Sequence, residues 1–200
     1  MTDQPGPGDN GGAYQSGVLV WRNGVPDPAQ VEALRVRLGD EIVDRMLRAS
    51  ELMRNPRPLT GEERTVLDAV MDPVLADLRA VGAILPEVRY EAWEDRGPDY
   101  VCAFIAPPGQ TLGGNGVWVA RFGPAGERVA ELAEQVQEWE VEALAAAGRP
   151  ATWPECPEHP RSHPLEPIAE SAKRAVWRCP RSHRAVAGIG ELGGSGGRIY

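Results

Sequence analysis

Five of the six cysteine and histidine residues of this chain lie between positions 156 and 183. They occur in two short segments, Cys156-Pro-Glu-His159-Pro-Arg-Ser-His163 and Cys179-Pro-Arg-Ser-His183. Thiolate sulfur and neutral imidazole nitrogen are the donors that a zinc ion takes in tetrahedral protein sites. The residue types and their spacing therefore predict a zinc site in the last quarter of the chain.

The turns in these segments suggest which residues bind the metal. A tight bend after a cysteine aims two side chains at one point, and a proline follows both Cys156 and Cys179. We therefore predict Cys156, His159 and Cys179 as ligands. His163 and His183 compete for the fourth position. We choose His163, because the prolines around it bend its segment into a compact loop, and keep His183 as the alternative.

This stretch alone resembles a zinc ribbon or zinc knuckle with mixed cysteine and histidine ligands. The resemblance rests on Cys156, His159 and Cys179 together with one further histidine. It implies a small module that the metal holds together, because such modules bury too little apolar surface to fold without it. The donor set differs from that of the usual four-cysteine ribbon.

Five possible ligands for four positions favour a closed, structural site over a catalytic one. A catalytic zinc ion keeps one position for water and needs a base close by. Glu155, Glu158, Glu166 and Glu170 are the neighbouring carboxylates, so a zinc-dependent hydrolase stays an alternative. We assign no catalytic residue, and the sequence favours a protein that is not an enzyme.

The charge of the chain limits its partners. There are 29 acidic and 21 basic residues, a net charge of −8, whereas duplex binding depends on cationic side chains that neutralise phosphates. We therefore expect no nucleic-acid partner.

The chain shows neither a signal-peptide pattern nor an apolar stretch of about 18 residues, so we expect a cytoplasmic protein without membrane contact. Lys173 is the one lysine among the 21 basic residues. This preference for arginine over lysine indicates a bacterium with a GC-rich genome.

The elements that must position the site begin with helices. Asp27 can cap a helix start, and apolar residues at spacings of three and four continue it as one long helix. Thr60 and Glu63 form a capping box that predicts a second helix, which Pro73 should kink or restart. A third helical pattern covers residues 125–147.

Three strands are predicted between the second and third helices, over residues 88–93, 100–106 and 116–122, because these segments are rich in β-branched and aromatic residues. The fold class is therefore α+β. N-terminal helices precede a three-stranded antiparallel meander and a closing helix, and a small zinc-ribbon-like C-terminal module follows.

Changes in amino-acid composition along the chain predict where its domains and terminal segments begin and end. A polar, glycine-rich start and a glycine-rich end cannot bury enough apolar surface to fold. We predict a disordered segment over 1–16, an α+β domain over 17–148, a zinc-ribbon-like module over 149–190 and a flexible tail over 191–200.

These features predict a cytosolic bacterial binding or adaptor protein that acts through protein–protein contacts and carries a structural zinc ion. One further alternative rests on charge alone. A small acidic inhibitor or immunity-type protein would mask a basic target, and the closing helix is rich in glutamate.

Overall fold

The structure, a computed structural model, describes residues 14–16, 19–22, 25–93, 96–110 and 114–194. Within these ranges it contains four helices, three three-stranded antiparallel sheets and one two-stranded sheet. The chain divides into two compact units, residues 1–55 and 56–200. The mixed helix-and-sheet class is confirmed, whereas the domain boundaries expected from composition stay predictions.

The first unit contains a small sheet and two helices: β1 (Tyr14–Ser16), β2 (Leu19–Arg22), β3 (Val25–Pro26), α1 (Pro28–Leu38) and α2 (Asp40–Arg54). The prediction of one long helix here is wrong. The helix is interrupted at Gly39, which separates α1 from α2. Its φ of 86° is a conformation that glycine adopts without steric cost. In the two-helix arrangement Val43 is buried with Leu34, whereas Ile42 is exposed.

The second unit starts with β4 (Arg57–Pro58) and α3 (Gly61–Ala80). The predicted capping box is present, because the Glu63 N–H donates to Thr60 Oγ1 at 3.2 Å and the Thr60 N–H donates to Glu63 Oε2 at 2.8 Å. The restart expected at Pro73 does not occur, since α3 runs through this residue. Burial of one apolar face holds the helix together on both sides of the proline. That face includes Leu67, Val70, Met71, Val74 and Leu78.

Four strands follow α3: β5 (Glu87–Arg89), β6 (Glu91–Ala92), β7 (Tyr100–Ala106) and β8 (Asn115–Ala120). The sheet order β5-β7-β8 is antiparallel, as the predicted meander requires. The first predicted strand is divided, because β6 pairs with β4 rather than with β7. Alternate residues of β7 and β8 face the core, where Val101, Ala103, Ile105, Val117 and Val119 are buried.

The predicted closing helix is α4 (Ala125–Ala146), and a last sheet of order β11-β10-β9 follows it. Its strands are β9 (Glu166–Ser171), β10 (Arg174–Arg178) and β11 (Ala185–Gly188). The first turn of α4 lies directly against the β9–β10 hairpin. A Cβ at Gly126 would lie 2.2 Å from the carbonyl oxygen of Ser171, so only glycine permits this approach.

The C-terminal segment shares the core of the second unit. Trp153, Cys156, Leu165, Trp177 and Cys179 belong to the same buried cluster as the apolar residues of α3, the meander and α4. Leu192, at the start of the predicted tail, is also buried there.

Parts of the two predicted terminal segments lie outside the described residues, namely 1–13 and 195–200. β1 lies at the end of the segment predicted to be disordered, and the boundary at residue 16 stays a prediction. Among the described residues, no helix is both long and apolar enough to cross a membrane.

Candidate metal centre

Four of the five predicted ligands meet in the structure. Cys156, His159, His163 and Cys179 each offer a donor atom, and these atoms all lie within 4.8 Å of one another. His159 Nδ1 is 3.6 Å from Cys156 Sγ and 3.4 Å from Cys179 Sγ. His163 Nε2 is 3.9 Å from Cys179 Sγ. Both cysteines are fully buried, so the cluster can hold a metal ion away from bulk water.

The first knuckle, residues 156–163, is a loop with a closed base. Inside it, the His159 N–H donates to the Cys156 carbonyl and the Ser162 N–H donates to the His159 carbonyl, each at 3.2 Å. At the base, Glu155 and Pro164 form a β-bridge, and the Leu165 N–H donates to the carbonyl of Pro154 at 2.8 Å. These bonds bend the loop so that both histidines face the thiols.

One side chain of α4 holds both ends of this loop. The Gln137 side-chain amide donates to the carbonyl oxygens of Trp153 at 2.8 Å and Leu165 at 2.7 Å. Since Trp153 precedes the loop and Leu165 follows it, Gln137 fixes the loop to the helix. No pattern in the sequence distinguishes this glutamine from the other one on α4, Gln135.

The second knuckle, residues 179–184, turns the chain from β10 into β11. The His183 N–H donates to the Cys179 carbonyl at 2.9 Å, and the Cys179 N–H donates to the Arg184 carbonyl at 3.0 Å. The Ser182 N–H points at Cys179 Sγ, 3.4 Å away. His183 is exposed on this turn with φ of 57° and is not part of the cluster of donor atoms, which contains His163 instead.

The orientation of His163 suits a metal ligand. Its Nδ1 lies 2.9 Å from the carbonyl oxygen of Pro164, an acceptor, so Nδ1 carries the proton. The lone pair is then on Nε2, the atom that faces Cys179. Ligating histidines in proteins commonly have such a partner on the second ring nitrogen, because it fixes the tautomer and the ring position.

The two thiols differ in their electrostatic surroundings. Burial raises the pKa of Cys156 above its usual value. Burial acts in the same direction on Cys179, but hydrogen bonds from Ser182, the Arg181 backbone and Cys156 together outweigh it, and the pKa of this thiol is lowered. The thiolate is the form that binds metal ions, so the Ser182 turn prepares Cys179 as a ligand.

Two tryptophans adjoin the site. Trp153 and Trp177 are buried and meet edge to face, with ring centroids 5.3 Å apart and an interplanar angle of 79°. The Trp177 indole N–H donates to Asp77 Oδ2 at 2.7 Å. The segment that carries the cluster is thereby joined to α3.

The donor set fits zinc. With zinc–sulfur bonds of about 2.3 Å and zinc–nitrogen bonds of about 2.0 Å, the sulfur–nitrogen edges of a tetrahedral site are about 3.6 Å long. Three of the four sulfur–nitrogen separations, at 3.6, 3.4 and 3.9 Å, are close to this value.

No family model matches this chain, and neither a curated protein nor a solved structure matches it.

Proposed function

We propose that the chain is a binding or adaptor protein whose C-terminal segment is held in shape by one structural zinc ion. Cys156, His159, His163 and Cys179 are the proposed ligands. The observation that carries the proposal is the convergence of these four donors within 4.8 Å. Two thiolates and two imidazoles complete a tetrahedron and leave no position for a reactive water. A closed site of this kind supports a structural role.

The surrounding carboxylates support the same conclusion over the hydrolase alternative. A general base must be free to reach a metal-bound water. All four neighbouring glutamates already have partners: Glu155 accepts the Arg161 N–H, Glu158 accepts the Ser182 hydroxyl, Glu166 pairs with Arg178, and Glu170 pairs with Arg174.

Zinc content tests the structural proposal. We expect about one zinc ion per chain in the purified protein by elemental analysis, and we expect Cys156→Ser and Cys179→Ser to lose it. Cys102→Ala is the matched control, since Cys102 is buried in β7 outside the cluster, and it should keep its zinc. Full zinc content in both serine variants would contradict the proposal. Ester or peptide hydrolysis that disappears in Cys179→Ser would favour the hydrolase instead.

A second candidate function, the acidic inhibitor, has one observation in its favour. The exposed face of α4 carries a stripe of carboxylates at helical spacing: Glu127, Glu131, Glu134, Glu138 and Glu142. Such a face complements a basic partner, and the complex would weaken steeply with salt. Capture of a basic protein at low salt, lost when Glu131, Glu134 and Glu138 are changed to Gln, would support this candidate.

A further inference from the structure

Glu158 joins the two knuckles of the candidate zinc site. It lies in the first knuckle, between Cys156 and His159. Its carboxylate nevertheless accepts the hydroxyl of Ser182, in the second knuckle, at 2.6 Å. Arg184, also in the second knuckle, pairs with the other carboxylate oxygen at 3.2 Å.

Ser182 continues this connection to a ligand. Its backbone N–H points at Cys179 Sγ from 3.4 Å, while its hydroxyl donates to Glu158 and accepts the Arg184 N–H at 3.4 Å. A hydroxyl held from two sides fixes the position of its own residue. The N–H···S contact therefore depends on Glu158, whose side chain also interacts with Cys179 directly.

We propose that Glu158 and Ser182 are positioning residues for the metal, which act by holding the two knuckles at the separation that four-coordinate zinc requires. This inference rests on the proposed zinc site and deepens it. Two ligands of the first knuckle, Cys156 and His159, flank Glu158, so its bond to Ser182 brings them towards Cys179. Partners outside the ligand shell typically contribute 10- to 100-fold to the affinity of a metal site.

Zinc affinity measured by competition with a chromophoric chelator tests the proposal on the full chain. We expect Glu158→Ala and Ser182→Ala each to weaken zinc binding by about 10-fold or more. Ser182→Thr keeps the hydroxyl and should restore the affinity. The matched control is Glu170→Ala, which removes a paired glutamate from β9 but no bond between the knuckles. It should bind zinc as the unchanged protein does.

The double variant and a spectroscopic measurement separate positioning from a general loss of stability. Because Glu158 and Ser182 share one hydrogen bond, Glu158→Ala with Ser182→Ala should cost less affinity than the two single changes added together. In the cobalt-substituted protein, the thiolate-to-metal absorption should change in both variants and remain unchanged in Glu170→Ala. A purely structural effect would lower the stability of the metal-free and metal-loaded forms equally and would leave the affinity intact.

The outcomes are distinguishable. If the unchanged protein binds zinc tightly and Glu158→Ala binds it equally well, the positioning role is overturned while the zinc site stands. If the unchanged protein takes up no zinc at all, the proposed function and the positioning role fall together.

Discussion

The indole N–H of Trp177 donates to the carboxylate of Asp77 across 2.7 Å and joins β10 to α3. Asp77 is completely buried and also accepts the backbone N–H groups of Gly190 and Leu192, at 2.7 and 2.8 Å. One carboxylate thus binds three N–H groups of the C-terminal segment and holds that segment against the helix. Trp177 also contacts Trp153, which precedes the loop of the first knuckle, so this anchor is connected to the segment that carries the candidate zinc site.

Removing the Asp77 carboxylate should destabilise the second unit strongly. Asp77→Ala leaves two buried N–H donors and one partly buried donor without an acceptor, and we expect a loss of about 3 kcal/mol or more in the free energy of unfolding. Trp177→Phe removes one of these donors and part of the packed ring, at a cost of about 2 kcal/mol. Urea unfolding measures both. A loss below about 1 kcal/mol in Asp77→Ala would contradict the role of this anchor.

Replacement of His163 and replacement of His183 should have different effects on the zinc affinity of the protein. His163→Ala removes a donor atom of the cluster and should weaken zinc binding by more than about 100-fold, beyond the effect of partners outside the ligand shell. His183→Ala removes an exposed ring outside the cluster and should leave the affinity unchanged. The reverse ranking, measured by chelator competition, would establish His183 as the fourth ligand.

The capping box of α3 predicts an acid-sensitive contribution to stability. The hydrogen bonds from Arg57 lower the pKa of Glu63 from its ordinary 4.5 to about 2, although burial opposes the shift. Arg121 adds a further ion pair at 2.7 Å. Because the folded-state pKa is depressed, this stabilisation is present above pH 4.5 and is lost as the pH falls towards 2.

Glu63→Gln tests this sign. At neutral pH we expect the variant to be less stable by about 2 kcal/mol, less than the full pKa shift implies because Arg57 is half exposed. The difference between the two proteins should shrink between pH 4.5 and 2 in urea unfolding. A difference that stays constant over this range would show that Glu63 contributes through packing rather than through its charge.

Two glycines at helix starts should respond oppositely to the same change. A Cβ at Gly126 would meet the backbone oxygens of Ser171 and Arg174 at 2.2 and 2.7 Å, so Gly126→Ala must displace α4 from the hairpin. We expect a loss of about 2 kcal/mol or more. Gly61, in the first turn of α3, has no atom within 4 Å of its Cβ position, and Gly61→Ala should be neutral or slightly stabilising. Equal melting temperatures for the two variants would contradict the close approach of α4.

Local chemistry made much of the fold predictable from the sequence. The capping box at Thr60 and Glu63, the strand at 100–106 and the closing helix all depend on residues close together in the chain, and each forms where it was predicted. The prediction of one long helix was wrong at Gly39, where a local break outweighed a helical pattern. At Pro73, of the two expected outcomes the restart did not occur, and burial of a helix face continues α3 through the proline.

The sequence by itself determined which residue types can bind a metal and where they lie, because donor chemistry and turn-forming prolines are properties of short segments. The sequence favoured His163 but kept His183 open, and the tertiary structure brings His163 beside Cys179, since that contact depends on how residues 16 positions apart meet. It also supplied Gln137, Glu158 and Ser182, whose importance lies in contacts between segments. An amide, a carboxylate and a hydroxyl acquire such roles only when folding brings their partners within hydrogen-bonding distance.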